Sequence, residues 1–234
     1  MNFFDYGLLK SFVQSFRSPE PVVEIGSLVV DDSMKPFNVK GFFSQKTFFG
    51  IDLRQGFGVD IMGDIEGLPF LPNSIGTLLC FDTIEHVWNI HAAFKEIDRV
   101  LKKDGVAVIS SVFNFKIHPC PHDFWRFTPE ALDVLSKGFP YKILGYQGYR
   151  KRPRHVFAVV FGEGYHLLDR EQQIREFEIL LQKEAIRDFS LIDRMRHSLA
   201  SLFVKKPLMD FKYYNNISIH SKTIGAALKQ IRTT

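Results

Sequence analysis

Short apolar runs alternate with carboxylates through the middle of the chain, and the runs stop where the carboxylates stand. Phe48–Ile51 ends in Asp52, Val59–Met62 leads to Asp64, and Leu78–Phe81 ends in Asp82 with Glu85 and His86 just beyond. Runs of this length between turn residues predict strands buried on both faces of a parallel sheet. Val22–Ile25, followed by Gly26, predicts the first of them. Others are expected at about 47–52, 58–62, 76–81, 106–111, 140–147 and 155–161. Spacings of three and four predict helices instead. Phe4, Leu8, Leu9, Phe12 and Phe16 form one stripe within 2–16. Ile90, Ala93, Phe94, Ile97, Val100 and Leu101 form another, with Lys102 and Lys103 placed in its last turn, where they suit the helix dipole. Thr128-Pro129-Glu130 starts a third helix, running to about Lys137, and a short helix is expected near Phe37–Phe43. The last two strands are joined only by RKRPRH (150–155), so they pair antiparallel.

Open α/β sheets bind ligands outside the carboxyl ends of their strands, where the strand order reverses. Carboxylates at several such ends therefore predict one acid-lined cleft, suited to hydroxyl and amine donors or to positive charge. The RKRPRH segment reads as a solvated turn, with no RNA-reading module beside it. His118, Cys120, His122 and Asp123 do not follow a standard zinc spacing, so no metal is expected.

After Gly164 the pattern changes. Ile174, Phe177, Leu181, Ala185, Phe189, Ile192, Met195, Leu199 and Leu202 predict a long amphipathic helix with nearly balanced charge. It is a surface for packing on the domain or for self-association. The expected division is a domain over 1–163 and a helical extension with a basic tail over 164–234. The net charge of +4 belongs to that tail, where Val204–Thr234 carries six Lys or Arg against one Asp. Global basicity is therefore no argument for nucleic acid. No apolar run reaches the length of a membrane span, and the N-terminal stretch lacks the features of a secretory signal. Two cysteines, Cys80 and Cys120, make no disulfide framework, and a cytoplasmic location is expected.

The strings VVEIGS (22–27), FFGIDL (48–53), GDIEGLPF (63–70), FDTIEHV (81–87) and EIDRVLKKDGVAVIS (96–110) resemble class I S-adenosylmethionine-dependent methyltransferases of the methyltransferase-11 type, in order and spacing. The resemblance covers about residues 20–162. It implies an α/β, Rossmann-like, seven-stranded and mostly parallel sheet with an antiparallel last strand. It implies S-adenosylmethionine as cofactor, with Glu24 and Gly26 beneath its methionine part, Asp52 on the ribose, Asp64 and Ile65 at the adenine, and Asp82 near the sulfonium and amine. The sequence departs from the family after Gly26, where Ser27, Leu28, Val29 and Val30 stand in place of further glycines. HPCPHDFWRFTPEAL (118–132) resembles a stretch of a bacterial subgroup, some of whose members sit among surface-polysaccharide genes. His118, Asp123, Trp125 and Arg126 are therefore expected to line a small-molecule or saccharide acceptor pocket, and His86 and His122 are the candidate general bases. A non-catalytic scaffold of the same fold is the alternative. A nucleic-acid methyltransferase ranks last, because no N/D-P-P-Y type motif is present.

Overall fold

The computed structural model describes residues 2–30, 39–118, 121–167, 169–185, 213 and 215–223. Eight strands form one sheet: β1 (Val22–Ile25), β2 (Phe48–Asp52), β3 (Ile61–Met62), β4 (Ile75–Cys80), β5 (Leu101–Val112), β6 (Tyr141–Tyr149), β7 (Arg152–Phe161) and β8 (Ile217–Thr223). Their order is β3-β2-β1-β4-β5-β7-β6-β8. The first five in that order are parallel, whereas β7 runs antiparallel to β5 and β6, and β8 antiparallel to β6. The chain leaves β1 toward β2 on one side and returns to β4 on the other. The switch point therefore lies between β1 and β4.

Two apolar layers cover the sheet. Helix α2 (Ile90–Val100) and helix α3 (Pro129–Leu135) pack on one face with Ile25, Leu78 and Ile109. Helix α1 (Phe3–Ser15) and helix α4 (Arg170–Glu184) pack on the other with Leu79, Val108 and Phe157. The stripe read in the first helix is the buried one: Phe4, Leu8, Leu9, Phe12 and Phe16 are all shielded. Asn2 caps α1 by accepting from the Phe4 and Asp5 amides, and Thr128 caps α3 by accepting from Ala131.

The sheet has one strand more than the sequence reading gives. Strand β8 comes from the polar tail, where Ile217 and Ile219 alone stand at strand spacing, and it covers the open edge of β6. Lys102 and Lys103 are not in a helical turn. The last carbonyls of α2 at Arg99 and Val100 are already taken by the Asn73 and Ser74 amides, and β5 starts at Leu101. Lys102 instead donates to the Glu20 carbonyl, and Lys103 pairs with Glu163 at 3.0 Å. The C-terminal helix is described as far as Glu184; the rest of its expected length lies outside the described residues. No described helix is long and apolar enough to cross a membrane.

Helices α1 and α4 touch through a glycine. A Cβ on Gly7 would lie 2.6 Å from the Ala185 Cα and 2.7 Å from its nitrogen, so the two backbones meet here with no room for a methyl group. Alanine improves helix propensity by about 1 kcal/mol over glycine, but overpacking costs about 1–3 kcal/mol. Gly7→Ala is therefore expected to lower stability in urea denaturation. A stabilised variant would show that the two helices do not pack this way.

Candidate active site

The carboxyl ends of β1, β2 and β4 open into a cavity of about 320 Å³. Gly26 ends β1, Asp52 ends β2, and Asp82 follows β4; Asp64, Ile65 and Glu66 come from the loop after β3. Leu28, Leu53, Val87 and Trp88 add apolar wall. The opposite wall is the loop after β5, through Pro121, His122 and Phe124.

Each carboxylate is set by its local chain. Asp52 accepts from the Arg54 amide at 3.0 Å, with the Arg54 Nε at 3.5 Å. Asp64 accepts from the Glu66 amide at 2.9 Å, and Glu66 in turn accepts from the Asn89 amide, tying this loop to the start of α2. Gly26 has φ +76, and a Cβ there would stand 2.1 Å from the Thr83 hydroxyl. Glycine is thus required where the first strand passes the fourth. The glycines missing after Gly26 reappear elsewhere. A Cβ on Gly50 would meet the Gly58 carbonyl at 2.1 Å and the Ser27 hydroxyl at 2.7 Å, and one on Gly58 would meet the Ser27 carbonyl at 2.6 Å. The close crossing is made by β2 and the loop behind it, not by the turn itself.

Asp82 is the most constrained group. Its backbone is left-handed, at φ +44, and its carboxylate accepts from the Asn2 side-chain amide at 2.6 Å. The same amide nitrogen lies 2.5 Å from Asp5 and 2.9 Å from His155 Nε2. Ser110 donates to the other oxygen of Asp5 at 2.6 Å. Burial and the neighbouring Asp82 charge push Asp5 well above the usual carboxylate range. For Asp82 burial acts in the same direction, but His155, which is charged only in acid, and the hydrogen bonds from Asp5 and Asn2 outweigh it and hold the group low. Asp5 therefore keeps the proton and Asp82 the charge. Burial pushes His155 down to about 4. It is neutral, with Nδ1 facing the Gln147 carbonyl oxygen at 3.2 Å.

Of this cluster only Asp82 was among the candidate residues. Its signal was present: Asp5 is followed by Leu8, Leu9 and Phe12, so a carboxylate sits inside the apolar stripe of α1. Glu24 shares a sheet face with Val22, on the α1 side, and is not part of the cavity wall. It is largely buried, and burial raises it to about 7.

The loop after β5 is held from within. Asp123 takes Arg126 bidentately at 2.5 and 2.7 Å and also accepts from the His118 amide at 2.8 Å. The Arg126 hydrogen bonds hold Asp123 well below the usual carboxylate range. Trp125 donates its indole N–H to the Val87 carbonyl at 2.8 Å, and the Phe124 amide bonds the Glu85 carbonyl. His86 Nδ1 hydrogen-bonds the His122 carbonyl, and the His86 and His118 rings meet edge to face at 4.9 Å. Burial lowers His86 from its ordinary value. Of the acceptor-side residues expected from the sequence, His86 and His122 line the cavity. His118, Asp123, Trp125 and Arg126 brace the loop behind it. Phe124 and Trp88, packed edge to face at 5.3 Å, are the wall residues the sequence reading did not name.

Residues 45–109 match the family described as "Methyltransferase domain". A comparison with curated proteins gave no match. Among solved structures, a S-adenosylmethionine-dependent methyltransferase from Archaeoglobus fulgidus aligns with TM-score 0.50 at 11% identity, over 67% of this chain and 92% of its own. A Haloferax volcanii methyltransferase in complex with a methyltransferase activator aligns with TM-score 0.50 at 14% identity, over 69% and 91%. A Thermotoga maritima protein described as a S-adenosylmethionine-dependent methyltransferase gives 0.49 at 19% identity, over 67% and 88%.

The Glu24 displacement fixes a sign for stability against pH. A carboxyl raised by folding contributes stability that is fully present below its unfolded value and lost as pH rises through about 7. Glu24→Gln removes the buried charge above that point. Urea melts are expected to show the variant more stable than the parent at pH 8, by about 2 kcal/mol, with the gap closing by pH 4. An equal stability at pH 8 would show that Glu24 ionises without penalty.

Proposed function

We propose that this chain is a class I S-adenosylmethionine-dependent methyltransferase that passes the methyl group to a small-molecule or saccharide acceptor held against the loop after β5. The observation carrying the proposal is a cleft at the strand switch point with Asp52, Asp64 and Asp82 around it and an aromatic wall facing them. S-adenosylmethionine carries a sulfonium and an ammonium and no phosphate. A carboxylate-lined cavity suits that charge, where a dinucleotide pyrophosphate would be repelled.

In this reading Asp52 accepts from the two ribose hydroxyls, and Asp64 and Ile65 edge the adenine. Gly26 lets the end of β1 approach the methionine part, and Glu24 supports it from the sheet side. Asp82, kept ionised by Asn2 and Asp5, faces the amine. Bound cofactor supplies an electrophilic methyl carbon on a sulfur that departs as a neutral thioether, with no acid required.

What remains for the protein is alignment and proton removal. Holding an acceptor oxygen or nitrogen in line with the methyl carbon is the larger effect, since orientation alone can supply about 7–11 kcal/mol. Phe124 and Trp88 offer flat apolar walls for that purpose. His86 and His122 are the imidazoles on the wall able to take the acceptor proton. His86 Nδ1 faces a carbonyl, which only accepts, so this nitrogen carries the hydrogen and Nε2 is basic.

Labelled cofactor incubated with hydroxylated metabolites and saccharides tests the activity. Asp52→Ala is expected to weaken S-adenosylhomocysteine binding by about tenfold to several hundredfold, because two charge-assisted hydrogen bonds are lost. His122→Ala is expected to slow turnover while leaving that affinity within about threefold. Unchanged affinity in Asp52→Ala, read by calorimetry, removes Asp52 from the cofactor site.

A further inference from the structure

Glu85 lies in the short 3-10 turn after β4 and is fully buried. Ser111 donates to its Oε2 at 2.8 Å, but Oε1 is buried with no hydrogen-bond partner among the described residues. A buried carboxylate oxygen left unpaired is expensive, about 1–3 kcal/mol or more, and calls for an explanation. Two imidazoles stand beside it. One ligand-capable atom each from Glu85, His86 and His118 all fall within 4.8 Å of one another.

The hydrogen bonds around the two rings decide which atoms are available. His86 Nδ1 is held by the His122 carbonyl, so its Nε2 keeps the lone pair. His118 Nδ1 faces the Lys116 carbonyl at 3.2 Å and the Asp123 carboxylate at 3.1 Å. Both are acceptors, so here too Nδ1 carries the hydrogen and Nε2 the lone pair. A carbonyl or carboxylate behind Nδ1 is the second shell that orients metal-ligating histidines. Asp123 is itself fixed by Arg126, which explains why that loop is clamped by charge rather than packed by apolar contacts alone.

We propose that Glu85, His86 and His118 form a binding site for one divalent transition-metal cation of the zinc class, behind the His86 wall of the cleft. Two imidazoles and a carboxyl group, which burial keeps protonated until an ion displaces the proton, are a donor set suited to such an ion, with coordination positions left open. His86 also lines the cavity, so the site adjoins the acceptor side. The ligands come from two segments 32 residues apart, joined by the bonds from the Phe124 and Trp125 amides to the Glu85 carbonyl. Spacing within the loop alone does not reveal the set. The site is tested without cofactor or acceptor; an ion on the His86 Nε2 takes the lone pair a base would use and leaves His122 as the imidazole for the acceptor proton.

Untagged full-length protein is stripped with a chelator, titrated with Zn²⁺ by calorimetry, and its metal content measured after dialysis. One Zn²⁺ per chain is expected, with micromolar or tighter affinity. His118→Ala and Glu85→Gln are each expected to weaken binding at least about tenfold, the range typical of lost metal ligation or support. His118 is partly exposed, so His118→Ala reads the site even where Glu85→Gln loses the fold by circular dichroism. Cobalt substitution gives a second readout, a visible absorption band that disappears in His118→Ala. Absence of stoichiometric Zn²⁺ in the folded parent overturns the proposal. So does equal binding by parent and His118→Ala, including binding that is lost only in His155→Ala and so belongs to the Asp5–Asp82–His155 group.

Discussion

A single amide nitrogen, on Asn2, joins the first helix to the cleft. It lies within 2.9 Å of Asp5, Asp82 and His155, which come from α1, the end of β4 and β7. Two carboxylates and an imidazole cannot share a dry pocket unless their protons are apportioned. Here Asp5 takes a proton, His155 is neutral, and Asp82 alone is charged. That arrangement puts one negative charge at the switch point on a backbone held at φ +44. It also makes α1 part of the site, since the helix that covers Leu79, Val108 and Phe157 is the one that supplies Asn2 and Asp5. Core packing and site electrostatics are therefore one constraint: moving α1 disturbs both.

The other walls follow from backbone crossings and one clamp. Gly26 lets β1 pass Thr83, and Gly50 and Gly58 let β2 pass Ser27. These contacts leave no space for a methyl group, so the strand ends converge on a narrow cleft. On the far side the Asp123–Arg126 pair and the Trp125 indole hold the loop against the turn at 84–86. The exposed aromatics Trp88 and Phe124 are then presented together rather than collapsing into the core.

Much of this was legible from residue order. The strands and their terminal carboxylates were marked by apolar runs, and the α1 and α2 stripes by spacing. The parts that were not legible depend on contacts distant in sequence. Asp5 stands inside the α1 stripe in the sequence, but its partners Ser110, Asp82 and Asn2 are brought together only by the fold. Arg126 is expected to line the acceptor pocket, and its bidentate pair with Asp123 shows only in the fold. The first motif is poor in glycine in the sequence, and the contacts of Gly50 and Gly58 with Ser27 show only in the fold. Strand β8 was hidden for a different reason: beyond Ile217 and Ile219 its residues are polar, and its place is set by pairing with β6.

The most direct test of the central claim is a crystal structure of the full chain with S-adenosylhomocysteine. The account places the ribose hydroxyls on Asp52, the adenine against Asp64 and Ile65, and the amine toward Asp82. Density for the ligand elsewhere, or in this cleft with Asp52 outside hydrogen-bond distance, would contradict it.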